Sequence, residues 1–253
     1  MKHHQVLGRL KAVAWFAALL VAVAAGPAAA QLNQFGIDPR ERVDLSAAPW
    51  RSVGKLQTAI GGQRATCTGA LVGPRTVLSA AHCLYNARTG KLFSPSSMHF
   101  LIGFEGASYA GHAGIAKIEP SPDYDFDPAR SGGTRGSDWA ILTLDAPLAT
   151  VDLTLPIDPR LPPRGTPIMV GGYAQDHPNV LTADQTCHIT GLSADRSGHK
   201  LVLHDCSATH GVSGAPVLYR SRLGWTICGV NVARSKSEPV GLATLVDEVA
   251  KRL

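Results

Sequence analysis

Short runs of apolar residues, many of them alternating with polar residues, recur along the chain from about residue 50. A period of two is typical of β-strands that bury one face, and glycine, proline, asparagine and aspartate separate the runs as they separate strands. The runs fall into two sets. The first covers 51–56, 65–72, 76–79, 97–103, 110–119 and 139–144, and the second covers 167–173, 186–192, 200–205, 215–219, 225–232 and 241–245.

Each set has enough strands to close an antiparallel β-barrel. We therefore predict an all-β fold with six-stranded antiparallel barrels at 50–145 and 167–245. Prolines cluster between the two sets, which indicates a linker over the surface at 146–166. The last residues, 246–253, carry apolar side chains at helical spacing and predict a short C-terminal helix.

The first thirty positions read as a targeting segment. Lysine and arginine precede an apolar run at 12–25, and three alanines end the segment at residue 30. This order predicts a secretory signal peptide over 1–30, because the apolar run is shorter than the roughly 18 residues of a membrane-spanning helix. We expect export to the periplasm or the medium, no membrane attachment after cleavage, and an extended arm over 31–49.

The charge of the chain does not favour nucleic acid as a partner. The formal net charge is +5, and part of this excess lies in the predicted signal peptide. The other arginines are scattered, without the basic run interleaved with aromatic residues that a nucleic-acid groove needs. We expect no nucleic-acid partner and a monomeric mature chain.

Five cysteines in an exported chain indicate disulfide bonds. Cys187 and Cys206 lie on predicted strands joined by a polar turn, so a hairpin would bring them almost opposite each other. Cys228 would then be a buried free thiol. A Cys206–Cys228 disulfide is the competing assignment.

Three motifs carry candidate chemistry, in the order histidine, aspartate, serine. L-S-A-A-H-C contains His82, G-S-D-W-A-I-L contains Asp138, and H-G-V-S-G-A-P contains Ser213 between two glycines. Glycine permits a tight turn that presents a serine oxygen and backbone N–H groups to one point. Each motif alone also fits an ordinary loop or strand end, so it is their combination that indicates a site.

Together the motifs resemble those of the trypsin/chymotrypsin-like serine proteases, whose marks are T-A-A-H-C, a D-I-A-L-like strand start and G-D-S-G-G-P. Ser79, Trp139 and Val212 depart from this pattern. With D-P-R-E-R-V at 38–43, these departures are more similar to the bacterial branch that includes the glutamyl endopeptidases. The likeness covers residues 38–253.

The resemblance implies two chymotrypsin-like Greek-key barrels with an active site between them. It implies a serine endopeptidase that cleaves protein or peptide substrates without a cofactor. Ser213 would be the nucleophile, His82 the general base, and Asp138 the group that fixes the histidine tautomer. The backbone N–H groups of Gly211 and Ser213 would form the oxyanion hole.

The resemblance also implies a Cys67–Cys83 disulfide, which would hold His82 in place and contribute about 3 kcal/mol by loop closure. We expect no metal, because no second histidine or cysteine lies at zinc-like spacing around His82.

Chain order removes two other hydrolase classes. An α/β-hydrolase requires a histidine after the serine, and none follows Ser213. A subtilisin-like order would need an aspartate before His82, such as Asp44, and a parallel sheet with helices, which the all-β pattern disfavours. The alternative that stays open is a catalytically silent β-barrel protein that binds a partner through its cleft.

Candidate substrate-pocket residues precede the serine or lie on the strand that would pair with substrate. They are Ser207, Ala208, Thr209, Asn231, Val232 and Ala233. By resemblance, basic-specific members carry an aspartate where this chain has Ser207, and glutamate-specific members carry a histidine where it has Asn231. The sequence supports neither specificity.

Val212 bears on activation. In the animal enzymes, an aspartate at this position pairs with the α-amino group that propeptide cleavage frees, and valine cannot accept that ion pair. We therefore expect signal-peptide removal to suffice for a formed site.

Overall fold

The computed structural model describes residues 32–33, 36–60, 63–127, 133–235 and 238–253. The predicted signal peptide lies outside the described residues. Three short strands precede the barrels: β1 (Leu32–Asn33), β2 (Gly36–Ile37) and β3 (Glu41–Arg42).

Six antiparallel strands close the first barrel. They are β4 (Val53–Ile60), β5 (Gln63–Gly73), β6 (Thr76–Ser79) and, after a small hairpin of β7 (Tyr85–Asn86) and β8 (Lys91–Leu92), β9 (Met98–Ile102), β10 (Gly111–Pro120) and β11 (Ala140–Leu144). The order around the barrel is β10-β11-β6-β5-β4-β9, and β9 pairs with β10. Gly54 leaves room at its centre, because a side chain there would overlap the buried Phe100 ring.

The second barrel repeats this connectivity. Its strands are β12 (Pro167–Gly172), β13 (Thr182–Ala194), β14 (Lys200–His204), β15 (Pro216–Ser221), β16 (Gly224–Arg234) and β17 (Gly241–Leu245). The order is β12-β15-β16-β17-β14-β13, and pairing of β12 with β13 closes the ring. In each barrel the first three strands are consecutive neighbours and the fourth returns beside the first, which is a Greek-key arrangement.

The N-terminal arm is fixed to the second barrel. Strand β3 adds to the edge of β13 through the pairs Arg42–Thr182 and Glu41–Ala183. Arg42 also forms an ion pair with Glu105 of the first barrel's surface. The arm therefore packs on the body.

The linker between the barrels is more buried than a purely surface segment. Leu155 is 5% exposed, and its N–H donates to the carbonyl of Leu71 in the first barrel. Asp158 is also buried, and its N–H donates to the carbonyl of Ile227 in the second barrel. The linker thus joins the two barrels by hydrogen bonds as well as by chain continuity.

Helical segments in the described residues are short 3-10 turns: Trp50–Ser52, Ala81–Leu84, Pro95–Ser97, Arg135–Ser137, Val151–Leu153 and Val249–Lys251. The C-terminal helix is shorter than the predicted 246–253. None of the helices among the described residues has the length and apolar character needed to cross a bilayer.

Both predicted disulfides are present. Cys67 is bonded to Cys83, and Cys187 to Cys206 across the β13–β14 hairpin. Cys228 is a buried free thiol, so the competing Cys206–Cys228 assignment is wrong. Burial raises the pKa of the Cys228 thiol to about 12, which keeps it protonated and unreactive.

Candidate active site

His82 lies in the 3-10 turn that directly follows β6. Its neighbours Ala81 and Leu84 are buried in the first barrel's core, and Cys83 is held by its disulfide. These anchors fix the backbone, while the His82 side chain stays 28% exposed toward the cleft.

Asp138 holds His82 through two hydrogen bonds, one to the ring and one to the backbone. The His82 Nδ1 lies 2.7 Å from the Asp138 Oδ2, and the His82 backbone N–H donates to Oδ1 at 2.9 Å. An ionised carboxylate only accepts, so Nδ1 carries the proton and Nε2 is the basic nitrogen. The second barrel supports this geometry, because the Thr244 hydroxyl donates at 2.8 Å to the carbonyl of Arg135, at the start of the turn before Asp138.

The pKa of His82 reflects two opposing effects. Burial lowers it, whereas the charge of Asp138 and the hydrogen bond to it raise it, and the net direction is upward from 6.5. Asp138 is only 6% exposed in its side chain, so little water screens this interaction. The pair therefore favours the imidazolium that forms when Nε2 takes a proton.

Ser213 lies in a turn between two glycines that cannot carry side chains. Gly211 has φ +93° and Gly214 has φ +83°, both in the left-handed region. A Cβ at Gly211 would overlap the Tyr173 carbonyl, and one at Gly214 would overlap the Thr68 carbonyl and the Ser79 hydroxyl. The serine loop thus approaches the first barrel more closely than any other residue type would allow.

Thr68, in the first barrel, holds the serine loop of the second. Its backbone N–H donates to the Ser213 carbonyl at 2.8 Å, and its hydroxyl donates to the Gly211 carbonyl at 2.9 Å. The same hydroxyl accepts from the Tyr173 N–H at 3.0 Å. Thr68 is fully buried, so water cannot replace these bonds.

Hydrogen bonds occupy the carbonyls along the serine loop. His210 accepts from the Gln175 N–H at 2.6 Å, and Val212 accepts from the Asn231 side-chain amide at 3.1 Å. By contrast, the N–H groups of Gly211 and Ser213 have no acceptor among the described residues. Two donors held by a fixed loop are available to a ligand.

One cavity of about 790 Å³ contains the three candidate side chains. His82 and Asp138 come from the first barrel, and Ser213 from the second. Aromatic and polar residues complete the lining: Tyr124, Phe126, Arg135, Ala208, Thr209, His210, Asn231, Val232, Ala233, Arg234 and Ser235. The cleft between the barrels is therefore lined by a serine hydroxyl and by a histidine whose ring is hydrogen-bonded to a carboxylate.

The structure separates the predicted pocket residues into two groups. Five of the six line the cavity: Ala208, Thr209, Asn231, Val232 and Ala233. Ser207 is buried instead, and its backbone N–H donates to the Asp184 carboxylate at 2.8 Å. Ser207 therefore lies in the barrel wall, bonded to Asp184 of β13, and does not line the cavity.

Arg234 is a cavity residue that the sequence analysis did not identify. Burial lowers the pKa of its guanidinium, as does the charge of Arg40, while Asp184 raises it. Its position two residues after Val232 on β16 is the signal that could have identified it. It places a positive charge in the cavity wall.

Asn231 connects the cavity to a buried histidine. The amide nitrogen of Asn231 donates to Val212, so its oxygen faces the His204 Nε2 at 3.2 Å, and His204 must donate. Burial lowers the pKa of His204 to about 4, against the opposing effect of this hydrogen bond. His204 is therefore neutral at physiological pH.

We predict that acid destabilises the fold through His204. The unfolded chain binds a proton near pH 6.5 and the folded chain only near pH 4, so His204 stabilises above pH 6.5, and this contribution falls by about 3 kcal/mol on acidification to pH 4. His204→Gln should lose less stability in urea unfolding between pH 7 and pH 4.5 than wild type. The matched control is His188→Gln, at an exposed position of β13. Equal acid sensitivity of wild type and His204→Gln would contradict this prediction.

Potential metal ligands meet only once in the described residues, at Cys67, His82 and Cys83. Both sulfurs belong to the disulfide and cannot coordinate as thiolates. This group therefore does not fit a metal ion.

Two Greek-key barrels with histidine, aspartate and serine in the cleft between them define the chymotrypsin-like class of fold and site. The trypsin family model matches residues 40–253. The chain belongs to the trypsin family.

Curated relatives and a solved structure agree with this assignment. The glutamyl endopeptidase of Bacillus licheniformis is 28% identical over 188 residues, covering 74% of this chain and 54% of the relative. The serine protease SP24D of Anopheles gambiae is 28% identical over 205 residues, covering 74% and 71%. The chain thus spans about half the length of the first of these relatives. A solved Glu endopeptidase structure, in complex with MPD, has a similar fold at TM-score 0.67 and 20% identity, covering 86% of this chain and 99% of that one.

Proposed function

We propose that this chain is an exported serine endopeptidase that hydrolyses peptide bonds through Ser213, His82 and Asp138. One observation carries the proposal. The His82–Asp138 pair leaves Nε2 as the basic nitrogen, and it shares a cavity with Ser213 and with the two available N–H donors of the serine loop. Family membership supports the same activity.

Acylation begins when Ser213 Oγ attacks the carbonyl carbon of a bound peptide. His82 Nε2 takes the serine proton, and Asp138 stabilises the imidazolium through Nδ1. The carbonyl oxygen becomes an oxyanion that accepts from the N–H groups of Gly211 and Ser213, and each such donor contributes about 10²- to 10³-fold to kcat. His82 then protonates the leaving amine as the C–N bond breaks.

Deacylation repeats the steps with water. His82 removes a proton from water, the hydroxide attacks the acyl carbon, and collapse of the second oxyanion intermediate returns the proton to Ser213. No cofactor is needed, because every proton transfer uses His82.

The proposal is tested by burst kinetics with a chromogenic ester. An active enzyme should release alcohol rapidly, one equivalent per Ser213, before a slower steady state limited by deacylation. The competing function is a silent barrel that binds a partner through the same cleft. That alternative predicts binding without a burst, and it would be favoured if correctly oxidised wild-type protein cleaved neither esters nor denatured protein.

We expect cleavage that does not require lysine or arginine before the scissile bond. Among the described residues that line the cavity, Asp138 carries the only carboxylate, and Arg234 adds positive charge, so a substrate cation would be poorly stabilised. A peptide library should show a preference for small or uncharged side chains at this position. Dominance of arginine and lysine would show instead that another acid, such as Asp205, reaches the substrate.

A further inference from the structure

The chain contains the tripeptide D-P-R twice, with the same local geometry. In the arm, Arg40 donates to Asp38 from its backbone N–H at 3.0 Å, from Nε at 2.9 Å and from Nη2 at 2.6 Å. In the linker, Arg160 donates to Asp158 from the same three nitrogens at 3.0, 3.0 and 2.9 Å. The local turn alone therefore does not distinguish the two arginines.

The two arginines differ in how far their side chains are buried and in how many distant residues they contact. The Arg160 side chain is 87% exposed, whereas that of Arg40 is 4% exposed. Arg40 also donates from Nη1 to the Asp176 carboxylate at 3.1 Å and to the Thr209 hydroxyl at 3.2 Å, and from Nη2 to Asp176 at 2.5 Å. All five N–H groups of its guanidinium donate hydrogen bonds. A buried arginine needs such bonds to offset the cost of removing its charge from water.

Both distant partners of Arg40 belong to segments that shape the serine loop. Thr209 accepts from the Val212 N–H at 3.2 Å through its carbonyl, and its hydroxyl donates to Asp176 at 2.8 Å. Asp176 follows Gln175, whose N–H holds the His210 carbonyl at 2.6 Å. Arg40 therefore joins Asp176, which follows Gln175, to Thr209, which lies two residues before Gly211.

Charge supports the same arrangement. The hydrogen bond from Arg40 lowers the pKa of Asp176 to about 2, and it lowers the pKa of Asp38 as well. Val212 is buried and apolar, so the residue before the nucleophile offers no charge of its own to an ion pair. The nearby charges are instead those of Arg40, Asp38 and Asp176, and Arg40 contacts the serine loop through its hydrogen bond to Thr209.

We propose that Arg40 is a positioning residue for the nucleophile loop, through which the N-terminal arm fixes Thr209 and hence the orientation of the Gly211 and Ser213 N–H groups. The proposal rests on the proposed function. It predicts that loss of Arg40 weakens transition-state stabilisation more than substrate binding, because a donor misplaced by about 1 Å costs on the order of 100-fold in rate.

The experiment compares Arg40→Gln with Arg160→Gln, which removes the same local turn contacts at an exposed site. Each mature protein is active-site titrated, so that kcat refers to folded enzyme only. We expect kcat per titrated site, and the affinity for a peptide boronate that mimics the tetrahedral intermediate, to fall together by tenfold or more in Arg40→Gln. KM should change less, and Arg160→Gln should match wild type.

A second pair keeps the test independent of folding, because Arg40→Gln leaves two carboxylates without their cation. Thr209→Val keeps the ion pairs and removes only the hydroxyl, and Thr209→Ser restores it. Thr209→Val should lose kcat and boronate affinity, and its effect should not add fully to that of Arg40→Gln in the double variant. Thr209→Ser should retain both.

Two outcomes would overturn the proposal: kcat per site in Arg40→Gln equal to that of Arg160→Gln, or Thr209→Val indistinguishable from Thr209→Ser. A loss of thermal stability alone, with normal kcat per site, would make Arg40 a structural residue only. Failure of the proposed function is separate, because wild type itself would then show no turnover.

Discussion

Ser213→Ala should lower kcat by about six orders of magnitude while leaving the fold intact. The substitution removes the oxygen that we propose forms the acyl-enzyme, and removal of the nucleophile from such a triad costs about 10⁶-fold. The Ser213 backbone carbonyl still accepts from Thr68, and the N–H groups of the loop are unchanged. The variant should therefore still hydrolyse peptide faster than the uncatalysed reaction in water, because substrate binding and the oxyanion donors are retained.

The measurement is kcat on a peptide substrate, with circular dichroism to confirm the native barrels. Ser221→Ala is the matched control, because Ser221 lies at the end of β15 and bonds Gly224 and Thr226 outside the cavity. It should have wild-type kcat. A Ser213→Ala protein that keeps even one per cent of wild-type turnover would show that another group is the nucleophile.

Asp138→Asn should lower kcat by about 10⁴-fold near neutral pH. An asparagine amide can donate to His82 Nδ1, which would place the imidazole proton on Nε2, the nitrogen that must accept from Ser213. The isosteric amide keeps the size of the side chain, so the loss should come from the wrong tautomer and from the missing negative charge.

The dependence of kcat/KM on pH should also change in Asp138→Asn, in a direction that can be predicted. In wild type, kcat/KM should rise with pH through an apparent pKa above 6.5, because the base must be neutral and Asp138 raises the pKa of His82. In Asp138→Asn, burial alone acts on His82, so the apparent pKa should move down. An unchanged profile, or a kcat within tenfold of wild type, would contradict the role assigned to Asp138.

The strands and the candidate triad could be predicted because their signals are local. β6 and β17 have the predicted bounds, 76–79 and 241–245, since a proline two residues before each strand marks where its apolar run begins. β13 begins earlier than predicted, at Thr182 rather than 186. Two of its early residues, Thr182 and Asp184, are polar but buried. Asp184 accepts hydrogen bonds from Thr186 and Ser207, which no hydrophobic pattern reveals.

The roles of some residues could not be predicted, because they depend on contacts between segments that are distant in the sequence. Thr68 looks like an ordinary residue of a strand, yet it bonds the serine loop more than 140 positions later. Arg40 is one residue of the D-P-R-E-R-V motif, and the sequence does not show that its side chain bonds Asp176 and Thr209. Such residues are polar, and their partners become visible only when both barrels and the arm are assembled.

Covalent labelling with a fluorophosphonate, read by mass spectrometry of the oxidised mature protein, tests whether Ser213 is an activated nucleophile. A fluorophosphonate reacts with a serine only when a base activates it and donors stabilise the oxyanion. Wild type should gain one adduct, located at Ser213, and His82→Ala should react at least a thousandfold more slowly. The proposed role of Ser213 would be contradicted if folded wild-type protein, with both disulfides formed, gained no adduct or gained it at another residue.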